Sequence, residues 1–439
     1  MSHAFIVHGP KDVDSLLQVH EALRRAGIPD WYEPPGADSP ESRHSVAEAI
    51  DKAFAMVVLV SASSIRSREA QAQIERGIAR GLTIVPFRVD NARLSGVFKK
   101  ELAGSLRHAI MDEGGLEKLV AEVRARYRHK CPVIAVMNLK GGVGKTTITS
   151  QIFGAWQAAL GGRILLVDLD PQYNLTQTFF DMEAADQSAA RDRSVISLFE
   201  KSRLHAPDVP SPAESWSRLS TEPFPTPAIA DLVHPLLGEN GPGGVLDLIS
   251  GQFEISKYAF ATDKAALDAI RLNFLHMVDH LRGSYDLIVF DTNPNATFLT
   301  KCALEASDRV IAPMHPDMYS LRGVKLLNQV LNEQIAEDVR PKLSILFNRV
   351  SRNEQSAFEA DARNGAHDQR AGFKLSEALL QHPVPKSGHL QVRSPEPDQE
   401  PWKSLIVHKG RGGGLKSIRE SLKASAAEIR DKTSAEEPS

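Results

Sequence analysis

The stretch "VIAVMNLKGGVGKTTITSQI", Val133 to Ile152, joins an apolar strand to a helix through a glycine-rich turn carrying two lysines and two threonines. Gly141, Gly142 and Gly144 let the backbone turn tightly and aim its N–H groups at phosphate oxygens, with the positive end of the following helix behind them. Lys145 is placed to neutralise the β and γ phosphates of a nucleotide, and Val143 and Thr147 complete the cradle. The Thr146 hydroxyl is placed to ligate Mg²⁺. A strand that runs through such a turn into a helix belongs to a parallel α/β sheet.

Downstream the alternation continues with the strands "RILLVDLD", "YDLIVFD", "DRVIAPM" and "KLSILFNRV", separated by helical stretches. This pattern predicts a doubly wound domain over 129–435. Between about 182 and 245 it is interrupted by "HAPDVPSPAESWSRLSTEPFPTPAI". Its prolines argue against a regular element, so the expectation is a long surface insertion. Leu415, Ile418, Leu422 and Ile429 recur at helical spacing and predict a last amphipathic helix packed on the domain.

Upstream, residues 1–128 alternate on a smaller scale. "AFIVH", "AMVVLVS" and "LTIVPFRV" read as strands, and "SREAQAQIERGIARG" as a helix. A helix face of Val13, Leu16, Leu17 and Leu23 is interrupted by His20. A second, smaller doubly wound domain is the consequence.

Composition bounds the rest. Hydrophobic residues at 42% and charged residues at 24% are ordinary for a soluble globular protein, and no apolar run is long enough for a membrane span. The N-terminus lacks the pattern of a secretory signal, which leads to the expectation of a cytoplasmic protein. Cys131 and Cys302 have no partners at ligand spacing and read as structural thiols. A net charge of −3 gives no global attraction to nucleic acid.

The phosphate loop departs from G-x-x-x-x-G-K-[ST], because Leu139 stands at the first glycine and Lys140 follows it. "KGGVGKTT" is the deviant Walker A signature, and the chain from Val133 onward resembles the ParA/MinD family of dimerising ATPases. The resemblance implies ATP and Mg²⁺ as cofactors and a homodimer formed on ATP binding, with Lys140 reaching the partner's phosphates so that slow hydrolysis is tied to association. It implies that Asp170, in "LLVDLDPQYN", positions the attacking water and that Asp291, in "YDLIVFDTNPNA", holds Mg²⁺. It places Asn348 at the adenine. Relatives usually carry a proline where this chain has Asn293.

"AFIVHGPKD", "WYEPPGADS" and "VVLVSASSIRSREAQAQIERG" resemble a TIR domain, a flavodoxin-like module that serves either in homotypic interaction or in cleaving NAD. Aligning Ser67 with the serine of the TIR signature puts Glu69 at its tryptophan and Gln73 at its catalytic glutamate. Both positions have changed, so little or no NAD cleavage is expected, with Glu69 the only local carboxylate on the face of Gln73.

The expected function is an ATP-driven dimerisation switch whose TIR module passes the nucleotide state to a partner, through TIR–TIR contact or otherwise, in bacterial signalling or defence. The alternatives are an NAD-cleaving effector assembled by the ATPase and a plasmid or cargo partition ATPase. The latter would bind DNA without sequence preference, and Lys409, Arg411, Lys416, Arg419 and Lys423 gather positive charge near the last helix, diluted by Glu420 and Glu428.

Overall fold

The computed structural model describes residues 3–26, 28–34, 40–102, 113–224, 226–238, 244–350, 355–390, 395–396, 399–409 and 414–434. The chain divides into two compact units. One is built on residues up to Cys131 and the other on Pro132–Val278 and the chain from Tyr285 onward.

The first unit has four described strands, β1 (His3–Val7), β2 (Asp30–Tyr32), β3 (Ala53–Val60) and β4 (Thr83–Arg88), all parallel in the order β2-β1-β3-β4. Side chains alternate across the sheet. Ala4, Ile6, Val57 and Leu59 pack on Leu16, Val19, Leu23, Val123 and Tyr127 of two helices on one face. Phe5, Val7, Met56 and Val58 pack on Ile50, Ala70 and Ile74 on the other. Burial on both faces explains why β3 reads as a continuous apolar run. The face predicted for the helix Val13–Arg25 shifts: Val19 is buried while Leu17 is exposed, and His20 leaves the core to pair with Asp30 at 2.8 Å.

Among its described residues the second unit holds eight strands: β5 (Val133–Val136), β6 (Arg163–Asp168), β7 (His234–Leu237), β8 (Val245–Ile249), β9 (Leu287–Asp291), β10 (Arg309–Met314), β11 (Lys342–Val350) and β12 (Val384–Pro385). Their order is β12-β11-β10-β5-β9-β6-β8-β7, parallel except for β7 against β8. β5 sits between β9 and β10, and the chain reaches β6 on one side of it and β10 on the other. That reversal opens a crevice at the C-terminal end of β5, where doubly wound sheets bind ligands. The helix Lys145–Leu160 leaves this crevice and is buried nearly all round, because the last helix, Leu415–Ser434, covers it. Leu415, Ile418, Leu422 and Ile429 are the buried face of that last helix, as their spacing predicts. Among the described residues no helix is long and apolar enough to cross a membrane.

The expectation of an irregular surface insertion at 182–245 is corrected. Its described residues include the helix Met182–Ala190, 3-10 turns at Val195–Leu198 and Pro212–Glu214, and the strand β7. Val195, Ile196, Leu198 and Phe199 are fully buried. Prolines remove backbone donors, but the carbonyls that remain find side-chain partners. The Lys257 ammonium donates to the carbonyls of Pro212 (2.8 Å) and Arg218 (3.3 Å) and pairs with buried Glu200 at 2.6 Å. Glu200 also accepts from the Tyr258 hydroxyl at 2.8 Å and the Ser220 N–H at 2.6 Å.

Candidate functional site

The loop after β5 takes its shape from Gly142 and Gly144, whose φ values of 74° and 90° lie in the left-handed region. Gly144 is also a close approach, since a Cβ there would lie 2.3 Å from the Asn348 amide nitrogen. That nitrogen donates to the Val143 carbonyl at 2.7 Å, so β11 braces the loop from one side. Asn138 braces it from the other, accepting from the Lys140 N–H at 2.9 Å and donating to the Pro313 carbonyl at 2.8 Å. Asn348, expected at adenine, is buried with its amide holding the loop. Its neighbour Arg349, at a left-handed φ of 56°, lines the cavity instead.

The cavity above the loop has a volume of about 630 Å³. Gly141, Gly142, Gly144, Lys145, Thr146, Thr147, Asp170 and Asn293 line its polar part, and Phe253, Tyr258, Phe260 and Phe298 an aromatic part. Sequence reading missed the aromatic wall, which has no motif. The Asn293 side-chain oxygen accepts from the Asn295 N–H at 3.3 Å and the Thr300 hydroxyl at 3.4 Å, which shapes the loop after β9.

Charge is dense in the cavity lining and in the buried layer behind it. Burial drives the Lys145 pKa down, against the pull of Asp291 and Asp170. Burial raises the Asp291 carboxyl to about 7, in spite of hydrogen bonds from Thr146 (2.7 Å) and Thr149 (3.0 Å). Asp168 was not singled out from the sequence, although it ends β6 two residues before Asp170. Burial and the nearby Asp291 push its carboxyl well above the usual range, opposed by the N–H and hydroxyl of Thr176, both at 2.8 Å. Thr146 and Asp291 offer hard oxygen donors of the kind Mg²⁺ takes, an ion that uses few protein ligands and completes its shell with phosphate and water.

Lys140 lies outside this lining. Its ammonium donates to the Ser320 hydroxyl at 3.0 Å and lies 3.6 Å from Asp317, with the Tyr319 ring centroid 6.0 Å away. Burial works to raise the Asp317 carboxyl, but the Ser320 N–H and the Lys140 charge together hold it below its usual value. The two loop lysines therefore occupy different environments.

The Soj chromosome-partitioning ATPase of Thermus thermophilus is 31% identical over 219 residues, covering 50% of this chain and 68% of the relative. The chain belongs to the ParA/Soj family of ATPases. A family model described as an AAA domain matches residues 131–345, and one described as a TIR domain matches residues 4–120. The sporulation initiation inhibitor Soj of Bacillus subtilis is 32% identical over 206 residues, 46% of this chain and 63% of the relative. The solved structure of pNOB8 ParA superposes with a TM-score of 0.50 at 21% identity, covering 69% of this chain and 97% of that one, which shows the ParA fold.

Outside the ATPase site, the first unit places Ser67 as the N-cap of the helix Arg68–Ala79, accepting from the Ala70 N–H at 3.1 Å. Gln73 does not stand apart from carboxylates, as Glu69 alone would suggest. Its amide donates to Glu33 at 2.9 Å, from the segment after β2, while Glu69 and Glu75 are exposed. Forty residues of separation left no local signal for that pair. Near the last helix the basic group thins. Arg419 donates to the carbonyls of Ile406 and Lys409, Lys416 lies 4.0 Å from Glu420, Glu428 caps Gln381 and His382, and Arg411 lies outside the described residues. Lys409, Lys416 and Lys423 remain exposed.

Proposed function

We propose that the chain is an ATP-driven dimerisation switch whose TIR unit passes the nucleotide state to a protein partner in signalling or defence. The division between the lysines carries this reading: Lys145 is buried in the cavity floor, whereas Lys140 is held outside by Asp317 and Ser320. Lys145 and the N–H groups of Gly141 to Thr147 hold the β and γ phosphates in this reading. Thr146 and Asp291 hold Mg²⁺, which supplies charge neutralisation at the phosphates. Asp170, at the cavity wall, orients the attacking water. Lys140 serves the phosphates of a second copy, so slow hydrolysis depends on association in a cytoplasmic protein. Asn348 acts as a loop brace and not as the adenine contact.

Light scattering with and without Mg²⁺ and ATP tests the switch. Mass should double with ATP, and Lys140→Ala should keep nucleotide binding while losing turnover. A protein that binds ATP and never changes mass sinks the reading.

The TIR unit acts here as an interaction module. NAD cleavage develops positive charge on the ribose that a carboxylate stabilises and a neutral amide at Gln73 does not. Nicotinamide release should be absent with or without ATP. Turnover that disappears in Glu33→Ala or Glu69→Ala would instead establish an effector enzyme. A partition reading is favoured by the name of the Thermus relative and by exposed Lys409, Lys416 and Lys423. It requires ATP-dependent, steeply salt-sensitive DNA retention, and its absence at low salt would remove that reading.

A further inference from the structure

Some of the large apolar side chains left exposed among the described residues meet one another. Of nine among the described residues, three form a contiguous aromatic group at the cavity mouth: Trp216 (45% exposed), Phe253 (55%) and Phe260 (75%). The Trp216 ring centroid lies 5.7 Å from that of Phe253 and 6.1 Å from that of Phe260. Two more, Met318 and Tyr319, begin the helix that holds Lys140, with Tyr319 77% exposed. Exposed aromatic surface concentrated in this way marks an interaction site.

The group is rigidly mounted. Phe253 and Phe260 flank the turn that contains Lys257, and Trp216 lies on the proline-rich segment between Pro212 and Arg218, whose carbonyls Lys257 holds. Cavity wall and proline-rich segment are thus one body.

Charge selects the occupant. The cavity is lined by the phosphate loop and Asp170, and the loop's second lysine stands outside it on an exchangeable, partly exposed ion pair with Asp317. A second copy related by a twofold axis brings a lysine to each cavity and sets the apolar surfaces of the two chains against each other, as an isologous interface requires. We propose that Trp216, Phe253 and Phe260 form an aromatic clasp that packs against a second copy of this chain when nucleotide fills the cavity. This inference rests on the dimer reading given above and adds the surface that holds the dimer. It also makes the proline-rich segment part of the interface.

The test uses the full chain with Mg²⁺ and a non-hydrolysable ATP analogue, measuring dimer dissociation constants by sedimentation for the unaltered protein, Trp216→Ala and Phe260→Ala. Each variant should dimerise at least about tenfold more weakly, while Trp216→Ala, whose side chain is outside the cavity lining, should bind a fluorescent ATP analogue as dilute monomer within about twofold of normal. In the unaltered protein, hydrogen exchange at 214–218 and 253–260 should slow on dimerisation, a readout that does not depend on any variant folding. Variants that dimerise as tightly as an unaltered protein that does dimerise, or unchanged exchange in that dimer, overturn the clasp alone. An unaltered protein that remains monomeric with the analogue bound overturns the dimer reading and the clasp together.

Discussion

The phosphate loop and the proline-rich segment are both irregular backbone beside one cavity, and they are held by opposite chemistries. Glycines shape the loop, and neutral amides of Asn138 and Asn348 pin its ends, leaving the stretch between to face the cavity. The proline-rich segment turns carbonyls inward onto a buried ammonium, which Glu200 balances. Irregular backbone serves a ligand where its polar groups face a cavity, and serves structure where the protein itself satisfies them.

If that contrast holds, removing the cation of the proline-rich segment should damage the fold, and removing that of the loop only the ligand. Lys257→Met leaves Glu200 buried without its counter-charge, and breaking such a pair costs about 3–5 kcal/mol. Denaturant unfolding should show that loss, and Lys257→Met with Glu200→Leu should recover part of it, because no orphaned charge remains. A single variant as stable as the unaltered chain would refute the anchoring role.

Lys145→Ala should do the reverse. Loss of a charge-assisted contact to phosphate should weaken ATP at least about 100-fold in a fluorescence titration, with thermal stability unchanged or raised, since burial already disfavours the charge there. A marked drop in stability would mean that the loop lysine is structural like Lys257.

Asn348→Ala probes the brace. Losing the bond to the Val143 carbonyl should weaken inorganic tripolyphosphate and ATP equally, by roughly tenfold. A loss confined to ATP would restore Asn348 to the adenine.

The same contrast explains what the sequence made legible. The loop was readable because its determinants are local: glycines, a lysine and a threonine within eight residues, between an apolar strand and a helix. Asp291 could be singled out only through the resemblance of "YDLIVFDTNPNA" to a family motif, since many apolar strands end in an aspartate. The anchoring of the proline-rich segment was not, because Glu200 and Lys257 meet across 57 residues and neither carries a local sign of burial. β7 was hidden by Pro235, which argues against a strand, yet an edge strand tolerates it. Gln73 and Glu33, or Asn348 and Val143, are likewise pairs made by the fold and absent from any window of the sequence.

The smallest effect separates the two regions by acid. His205 lies in the proline-rich segment with its ring 4.3 Å from that of Phe224, and its Nδ1 accepts from the Ser202 N–H at 2.9 Å. Burial, reinforced by the charge of Lys201, lowers its pKa to about 4 from an ordinary 6.5. The folded state therefore favours the neutral ring, and protonation would turn an accepting nitrogen toward an N–H. Between pH 6.5 and about 4 the unfolded chain takes up a proton that the folded chain refuses, so this contribution to stability is whole above 6.5 and declines through that window. Because the ring is only partly buried, the loss is about 1 kcal/mol or less, equivalent to a few degrees in Tm. His205→Asn keeps an acceptor and cannot titrate, so its Tm should fall less than that of the unaltered chain between pH 7 and pH 4.5. His234 and His408, also lowered by burial, remain in both proteins, so only the difference between the two slopes reports His205. Hydrogen exchange at 200–224 should quicken over the same window in the unaltered chain and not in the variant. Parallel slopes would show that the proline-rich segment tolerates a charged ring, and that its core is looser than the buried ion pair beside it implies.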